Sequence, residues 1–220
     1  MIDKTVADAA AAVAGIPDGA TVMIGGFGTA GIPTVLIDAL IAQGARGLTV
    51  VNNNAGNGDT GLAALIKARR VAKMICSFPR QADSHHFDAQ YRAGELLLEL
   101  VPQGNLAERI RAAGAGIGAF YTPTGYGTQL AQGKETRVID GRPHVLEYAL
   151  YADYALIRAD RGDRWGNLVY RKTARNFGPL MAMAARCTIA EVREIVPLGA
   201  LDPECIVTPG IFVHRIAGRA

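Results

Sequence analysis

Residues 20–33 read Ala-Thr-Val-Met-Ile-Gly-Gly-Phe-Gly-Thr-Ala-Gly-Ile-Pro, and no other stretch limits the fold so tightly. A short apolar run, Val22 to Ile24, stops at Gly25, Gly26, Gly28 and Gly31, and Pro33 opens the amphipathic stretch that follows. The pattern predicts a strand, a glycine loop and a helix, the unit from which parallel α/β sheets are built. Such a loop lets the backbone approach a ligand closely and turns N–H groups toward an anion. Gly26, Gly28 and Gly31 spell G-x-G-x-x-G, so a dinucleotide site is the first reading to test.

The alternation continues down the chain. Helices are expected over 4–14, 33–43, 60–70, 83–93 and 106–113, and strands over 22–24, 48–51, 74–77 and 96–101. This predicts an α/β fold, an open, mainly parallel sheet with helices on both faces. Beyond residue 115, Gly116, Gly118, Gly125, Gly127 and Gly133 mark irregular backbone. Val138 to Leu146 reads as a hairpin around Asp140-Gly141, a β-rich insertion in the C-terminal half. Strands at Tyr154–Ala159 and Val207–Val213, a turn at Trp165-Gly166-Asn167 and a helix at Leu180–Ala185 complete the expectation. The 220 residues are half hydrophobic and show no linker or repeat, so one domain spanning 1–220 is expected.

The glycine loop fails the dinucleotide test. A dinucleotide-binding unit ends its second strand in an acid, ~20 residues after the glycines, that holds the ribose hydroxyls. Here the second strand ends Val51-Asn52-Asn53-Asn54, with no carboxylate. A phosphate-binding P-loop is excluded too, because no Gly-Lys-Ser/Thr follows. What remains is a loop of Gly25, Gly26, Phe27, Gly28, Thr29, Ala30 and Gly31 facing an asparagine cluster, both at the carboxyl ends of strands, where open α/β sheets bind ligands. A tight turn with no ligand is the plain alternative.

Two more strand ends carry candidates. Gln103, in Pro102-Gln103-Gly104-Asn105, could donate to a developing oxyanion or simply cap a helix. Arg80, after Ser77-Phe78-Pro79, could grip a substrate carboxylate or lie solvated. His85-His86 lacks metal-ligand spacing, since one ring faces away if the segment is helical, so no metal is expected. Cys76 lies in an apolar strand and reads as core. Arg164 to Phe177 mixes aromatics with several cations, and a partner surface or a phosphate contact fits it at least as well as nucleic acid.

The net charge of +3 is scattered rather than gathered in a basic run, so a small anionic ligand is expected and nucleic acid is not. Three separated cysteines suit a reducing cytoplasm. No secretory leader is legible, and no run reaches the ~18 apolar residues of a membrane span. No Ser/His/Asp order and no G-x-S-x-G elbow is visible. Glu108, Glu135 and Glu147 stand in ordinary contexts, so no nucleophile can be nominated within the chain.

Asp18 to Pro33 resembles the first signature of the A (alpha) subunits of the class I 3-oxoacid coenzyme A-transferases. The blocks Asn53-Asn54-Ala55-Gly56, Pro102 to Arg109, Phe120-Tyr121-Thr122-Pro123, Gly133-Lys134-Glu135 and Asp163 to Ala185 carry the same likeness, nearly end to end. Cys76 to Gln81, Asn57-Gly58 and Thr124 to Thr128 point, within that family, to members acting on 3-oxoadipate. Members acting on acetoacetate are the alternative.

The resemblance implies transfer of CoA from succinyl-CoA to a 3-oxoacid with no metal or redox cofactor and none permanently bound, the CoA thioester being a substrate. It implies a glutamate nucleophile in a Ser-Glu-Asn-Gly motif of a separate B (beta) subunit, hence activity only with that partner and an A2B2 assembly. It places CoA at Gly25–Gly31, and Asn53, Asn54 and Gln103 on the substrate opposite the glutamate. A domain of another class, a non-catalytic phosphosugar-binding regulator, would share the sheet but lack the partner.

Overall fold

The computed structural model describes residues 2–219. In chain order the elements are α1 (Ala9–Val13), β1 (Thr21–Ile24), α2 (Thr34–Gln43), β2 (Leu48–Val51), α3 (Leu62–Lys67), β3 (Val71–Cys76), α4 (His85–Arg92) and β4 (Leu97–Leu100). Then come α5 (Gln103–Gly114), β5 (Ala119–Thr122), β6 (Thr136–Ile139), β7 (Arg142–Tyr148), β8 (Ala152–Asp163), β9 (Leu168–Val169), α6 (Gly178–Ala184), β10 (Ala185–Val196) and β11 (Arg215–Gly218). The main sheet runs β11-β10-β8-β1-β2-β3-β4 with every pair parallel, and β9 adds antiparallel to β8. The expected α/β architecture is therefore present.

Short apolar strands without polar alternation follow from burial on both faces. Val22 and Ile24 pack with Leu36, Leu40, Leu65 and Phe87 of α2 to α4. Met23, one residue out of phase, packs with Leu106, Ile110 and Met181 of α5 and α6. The period-2 geometry of one strand thus feeds two cores.

The expected hairpin forms as β6 and β7, turning at Asp140-Gly141. Unanticipated is β5, which completes a three-stranded antiparallel sheet in the order β5-β7-β6. Buried Glu147 of β7 accepts from Lys134 Nζ at 2.6 Å and from Asn105 Nδ2 of α5 at 3.2 Å, which fastens this sheet to α5.

Two expectations fail at the C-terminal end. The strand at Val207–Val213 is a loop, because Pro209-Gly210 begins a single helical turn there, and the strand comes later as β11. The twelve-residue β10 was not expected at all. It pairs with β8 from Ala185↔Ala152 to Val196↔Asp163, whereas β1 leaves β8 at Ile24↔Leu156.

Strand order gives the site its position. From β1 the chain steps outward to β4, then returns to lay β8 on the opposite side of β1. The reversal between β1 and β8 opens a crevice at the carboxyl ends of the strands, the usual ligand position in such sheets.

Candidate functional site

The loop after β1 is a tight turn. Phe27 N–H donates to the Ala30 carbonyl at 3.0 Å and Ala30 N–H to the Phe27 carbonyl at 3.1 Å. Gly31 has φ +78°, and a Cβ there would lie 2.8 Å from the Ala174 carbonyl oxygen. Only glycine lets segment 171–176 press against the loop, where Asn176 Nδ2 donates to the Ala30 carbonyl at 3.0 Å.

The helix start behind this loop is not open to an anion. Pro33 supplies no side-chain cap to α2. Instead Glu191 of β10, 1% exposed, accepts from Val35 N–H at 2.9 Å and Leu36 N–H at 3.3 Å. A protein carboxylate therefore occupies the seat that a pyrophosphate takes in a dinucleotide fold. The Val35 and Leu36 N–H groups are thus spent on Glu191, and those of Phe27 and Ala30 on each other's carbonyls.

The asparagines are buried, as their position between strand and loop requires. Asn52 Nδ2 donates to the Ile24 carbonyl at 2.6 Å, and Asn52 Oδ1 accepts from Asn54 N–H at 2.9 Å. Asn53 Oδ1 accepts from Ser77 Oγ at 2.7 Å and from Gln103 Nε2 at 2.8 Å. The ends of β2 and β3 and the first residue of α5 meet on that one oxygen. Asn54 Oδ1 accepts from Gly56 N–H at 2.9 Å, while Asn54 Nδ2 is buried with no hydrogen-bond partner. A buried donor left without an acceptor calls for a group supplied from outside.

These residues line two adjoining spaces. One, of about 460 Å³, is bounded by Phe27, Gly28, Asn53, Ser77, Gln81 and Gln103. The other, of about 110 Å³, lies between Gly28, Asn54, Gly56, Thr60 and Gln81. Asn53, Asn54 and Gln103 are thus brought together beside the glycine loop. Ser77 and Gln81 join them; the sequence signal for both was their place just beyond β3.

Gly56 holds the second wall. It has φ +85°, and a Cβ would fall 2.9 Å from the Ala63 Cα and closer still to its backbone nitrogen. Backbone cannot swing aside as a side-chain tip does. Gly56→Ala is expected to destabilise the fold by about 2–4 kcal/mol and to displace Asn54, read as a lowered thermal midpoint.

No carboxylate is among the residues lining either space. Cys76 lies below the floor, 0% exposed, and burial pushes its thiol up to about 12, so it is core and not a nucleophile. Arg80 is not in either lining: its Nε donates to Asp88 Oδ1 at 2.6 Å, at the start of α4. Its charge is answered by the protein's own carboxylate.

The histidine pair departs from expectation. Because α4 begins at His85, both rings sit on one side, with centroids 3.9 Å apart, and share a cluster with Asp59 whose ligand atoms lie within 4.8 Å. Asp59 pairs with Lys67 at 2.8 Å and is hydrogen-bonded to His86 Nε2 at 2.8 Å, and His85 Nδ1 to Asp83 at 2.7 Å, so the cluster ties the loop at Asp59 to the start of α4. Phe27 and Phe78 flank the larger space with 48% and 60% of their surface exposed. Among the described residues no helix is long and apolar enough to cross a membrane.

Comparison with known proteins places the geometry. The family model described as Coenzyme A transferase matches residues 6–219. The chain is 68% identical over 216 residues to the A subunit of 3-oxoadipate CoA-transferase from Pseudomonas putida, covering 98% of this chain and 94% of that protein. It is 58% identical over 218 residues to the A subunit of succinyl-CoA:3-ketoacid coenzyme A transferase from Xanthomonas campestris pv. campestris, covering 99% and 89%. An acyl-CoA transferase from E. coli O157:H7, solved as a thioester complex with CoA, superposes with a TM-score of 0.85 at 21% identity, over 99% of this chain and 47% of that longer one. Glutaconate coenzyme A-transferase from Acidaminococcus fermentans gives 0.83 at 21%, over 98% and 75%.

Proposed function

The chain belongs to the coenzyme A transferase family, and from that premise we propose that it is the alpha subunit of an enzyme that moves CoA from succinyl-CoA to 3-oxoadipate. The observation that carries the reading is the 68% identity, over nearly the full length, to an alpha subunit named for that acceptor. None of the relatives described above is named as a phosphosugar-binding regulator.

The site's chemistry supports a divided enzyme. Moving CoA between carboxylates needs a group that takes up the acyl unit, and the lining offers amides and a hydroxyl but no acid. A glutamate from a partner beta subunit supplies it. Its carboxylate attacks the succinyl thioester carbonyl and expels CoA thiolate, leaving an acyl-glutamyl anhydride. The thiolate then attacks the glutamyl carbonyl and releases succinate, and the 3-oxoacid carboxylate repeats the sequence in reverse. Each addition puts negative charge on a carbonyl oxygen. Asn53 and Gln103 offer N–H groups to that oxygen from a network already in place, which lowers the cost of the charge. Asn54, fixed by its bonds to Asn52 and Gly56, helps shape the smaller space in which the substrate is positioned. The exposed Phe27 and Phe78 are the surface that the beta subunit covers, in an A2B2 assembly.

The test is reconstitution. The purified chain is expected to show no transferase activity, and activity is expected on mixing with its beta partner, with kcat/KM higher for 3-oxoadipate than for acetoacetate. Turnover by the chain alone would overturn the divided site; a preference for acetoacetate would reassign the acceptor and leave the reaction class standing.

A further inference from the structure

The loop after β2 and the segment that leads into α4 are laced together. Ser84 Oγ donates to the Gly56 carbonyl at 2.9 Å, Gly58 N–H to the Asp83 carbonyl at 2.7 Å, and Asp83 N–H to Asn57 Oδ1 at 2.7 Å. These bonds fix where residue 59 stands relative to residues 85 and 86. Gly56, Asn57, Thr60 and Gly61 line the smaller space, whereas Asp59, His85 and His86 line neither space.

Three side chains with metal-ligating atoms sit on this frame. Asp59, His85 and His86 each bring one such atom within 4.8 Å of the other two. His86 Nε2 lies 2.8 Å from Asp59 Oδ1, and His85 Nε2 lies 4.0 Å from the same oxygen. The edge of a tetrahedron with bonds of ~2.0 Å is ~3.3 Å, so these two separations bracket it, and small turns of the side-chain tips reach it. His85 is also held in a ligand's orientation. Its Nδ1 lies 2.7 Å from Asp83 Oδ1, and a carboxylate only accepts, so Nδ1 carries the proton and Nε2 of the neutral ring keeps its lone pair. A carboxylate behind the ring is the support that metal-bound imidazoles have. Lys67, 2.8 Å from Asp59 Oδ1, opposes an ion, but its exposed side chain can turn to water.

We propose that Asp59, His85 and His86 form a binding site for a divalent transition-metal ion of the zinc class, with Asp83 as the positioning residue for His85. Two imidazoles and a carboxylate suit Zn2+, whereas Mg2+ and Ca2+ take oxygen ligands. Three protein ligands leave a fourth position for water. On binding, the ion takes the place of the proton between His86 Nε2 and Asp59, which leaves to solvent, and displaces Lys67. The ion staples the loop of residues 56–61 to the start of α4 and so stiffens one wall of the smaller space. No step of the CoA transfer is routed through it, and the inference stands apart from that reading.

The test is titration of the chelator-treated full chain with ZnCl2, followed by calorimetry and by thermal midpoint. One ion per chain is expected, with a Kd of about 1 μM or below and a midpoint that rises with zinc; MgCl2 is expected to do neither. His85→Ala, His86→Ala and Asp83→Asn are each expected to weaken zinc binding by about tenfold or more. Lys67→Met keeps every ligand and removes the competing cation, so it is expected to tighten binding. No binding by the unaltered chain overturns the proposal. So does equal binding by the histidine variants, which assigns the ion to another surface group such as the exposed Cys205. Should a histidine variant fail to fold, Lys67→Met decides: tighter binding supports the site, and unchanged or weaker binding overturns it.

Discussion

Replacing Gln103 with alanine in the assembled enzyme is expected to lower kcat by about 10²-fold while KM changes little. Gln103 begins α5 beside the reacting space, and one of its two amide hydrogens goes to Asn53 Oδ1 at 2.8 Å. The other is the donor proposed for the developing oxyanion, an interaction that strengthens only as charge forms on the carbonyl. Loss of such a donor lowers kcat and kcat/KM together, and single donors of this kind are worth about 10²–10³ in rate. Gln103→Glu is the sharper companion, because it keeps the shape and sets a carboxylate oxygen against Asn53 Oδ1. A Gln103→Ala enzyme with unchanged kcat and intact assembly would remove the residue from the mechanism.

Glu191→Ala is expected to destabilise the fold by about 2–4 kcal/mol, read as a fall in thermal midpoint on the order of 10 °C for a chain of this size. The side chain is 1% exposed and serves three partners at once: the α2 N-terminus, Arg219 at 3.2 Å and Arg158 at 3.8 Å. Its removal leaves two helix donors unanswered in the interior and two guanidinium groups without their acid.

A pH dependence accompanies it. Burial pushes the Glu191 carboxyl above its ordinary value of 4.5, against the pull of the Leu36 and Val35 N–H groups and the two arginines. The folded chain then holds that proton more tightly than the unfolded chain does. The group's contribution is most favourable below about 4.5 and is lost as pH rises through the folded-state value. Glu191→Gln, neutral throughout, is expected to remove this slope from the curve of thermal midpoint against pH. Parallel curves for the two proteins would show that the carboxyl does not titrate differently on folding.

The first half of the fold was legible because its strands are short, apolar and punctuated by glycine, proline or asparagine, so local chemistry and tertiary structure agree. β10 was not legible, because Arg186, Glu191, Arg193 and Glu194 interrupt its apolar run. Only its neighbours explain them: Glu191 reaches α2, and Arg193 reaches Asp160 on β8. Asn53, Asn54 and Gln103 could be nominated from strand ends alone, since that is where parallel sheets present side chains. Arg80 looked equally available, yet Asp88 captures it across one turn into α4. The dinucleotide-like loop misled most about charge, because the carboxylate that fills its helix start lies 156 residues away from Val35. No local pattern reports so distant a partner.

The long β8 has one more consequence. On its β10 side it is paired throughout, but on its other side β1 stops at Leu156 and β9 starts only at Arg161. Residues 157–160 therefore have no strand partner on that side, with peptide groups repeating every ~3.3 Å beside Arg158 and Asp160 in the crevice. Their hydrogen-bonding capacity belongs to the main chain, in a register that side-chain replacement cannot erase.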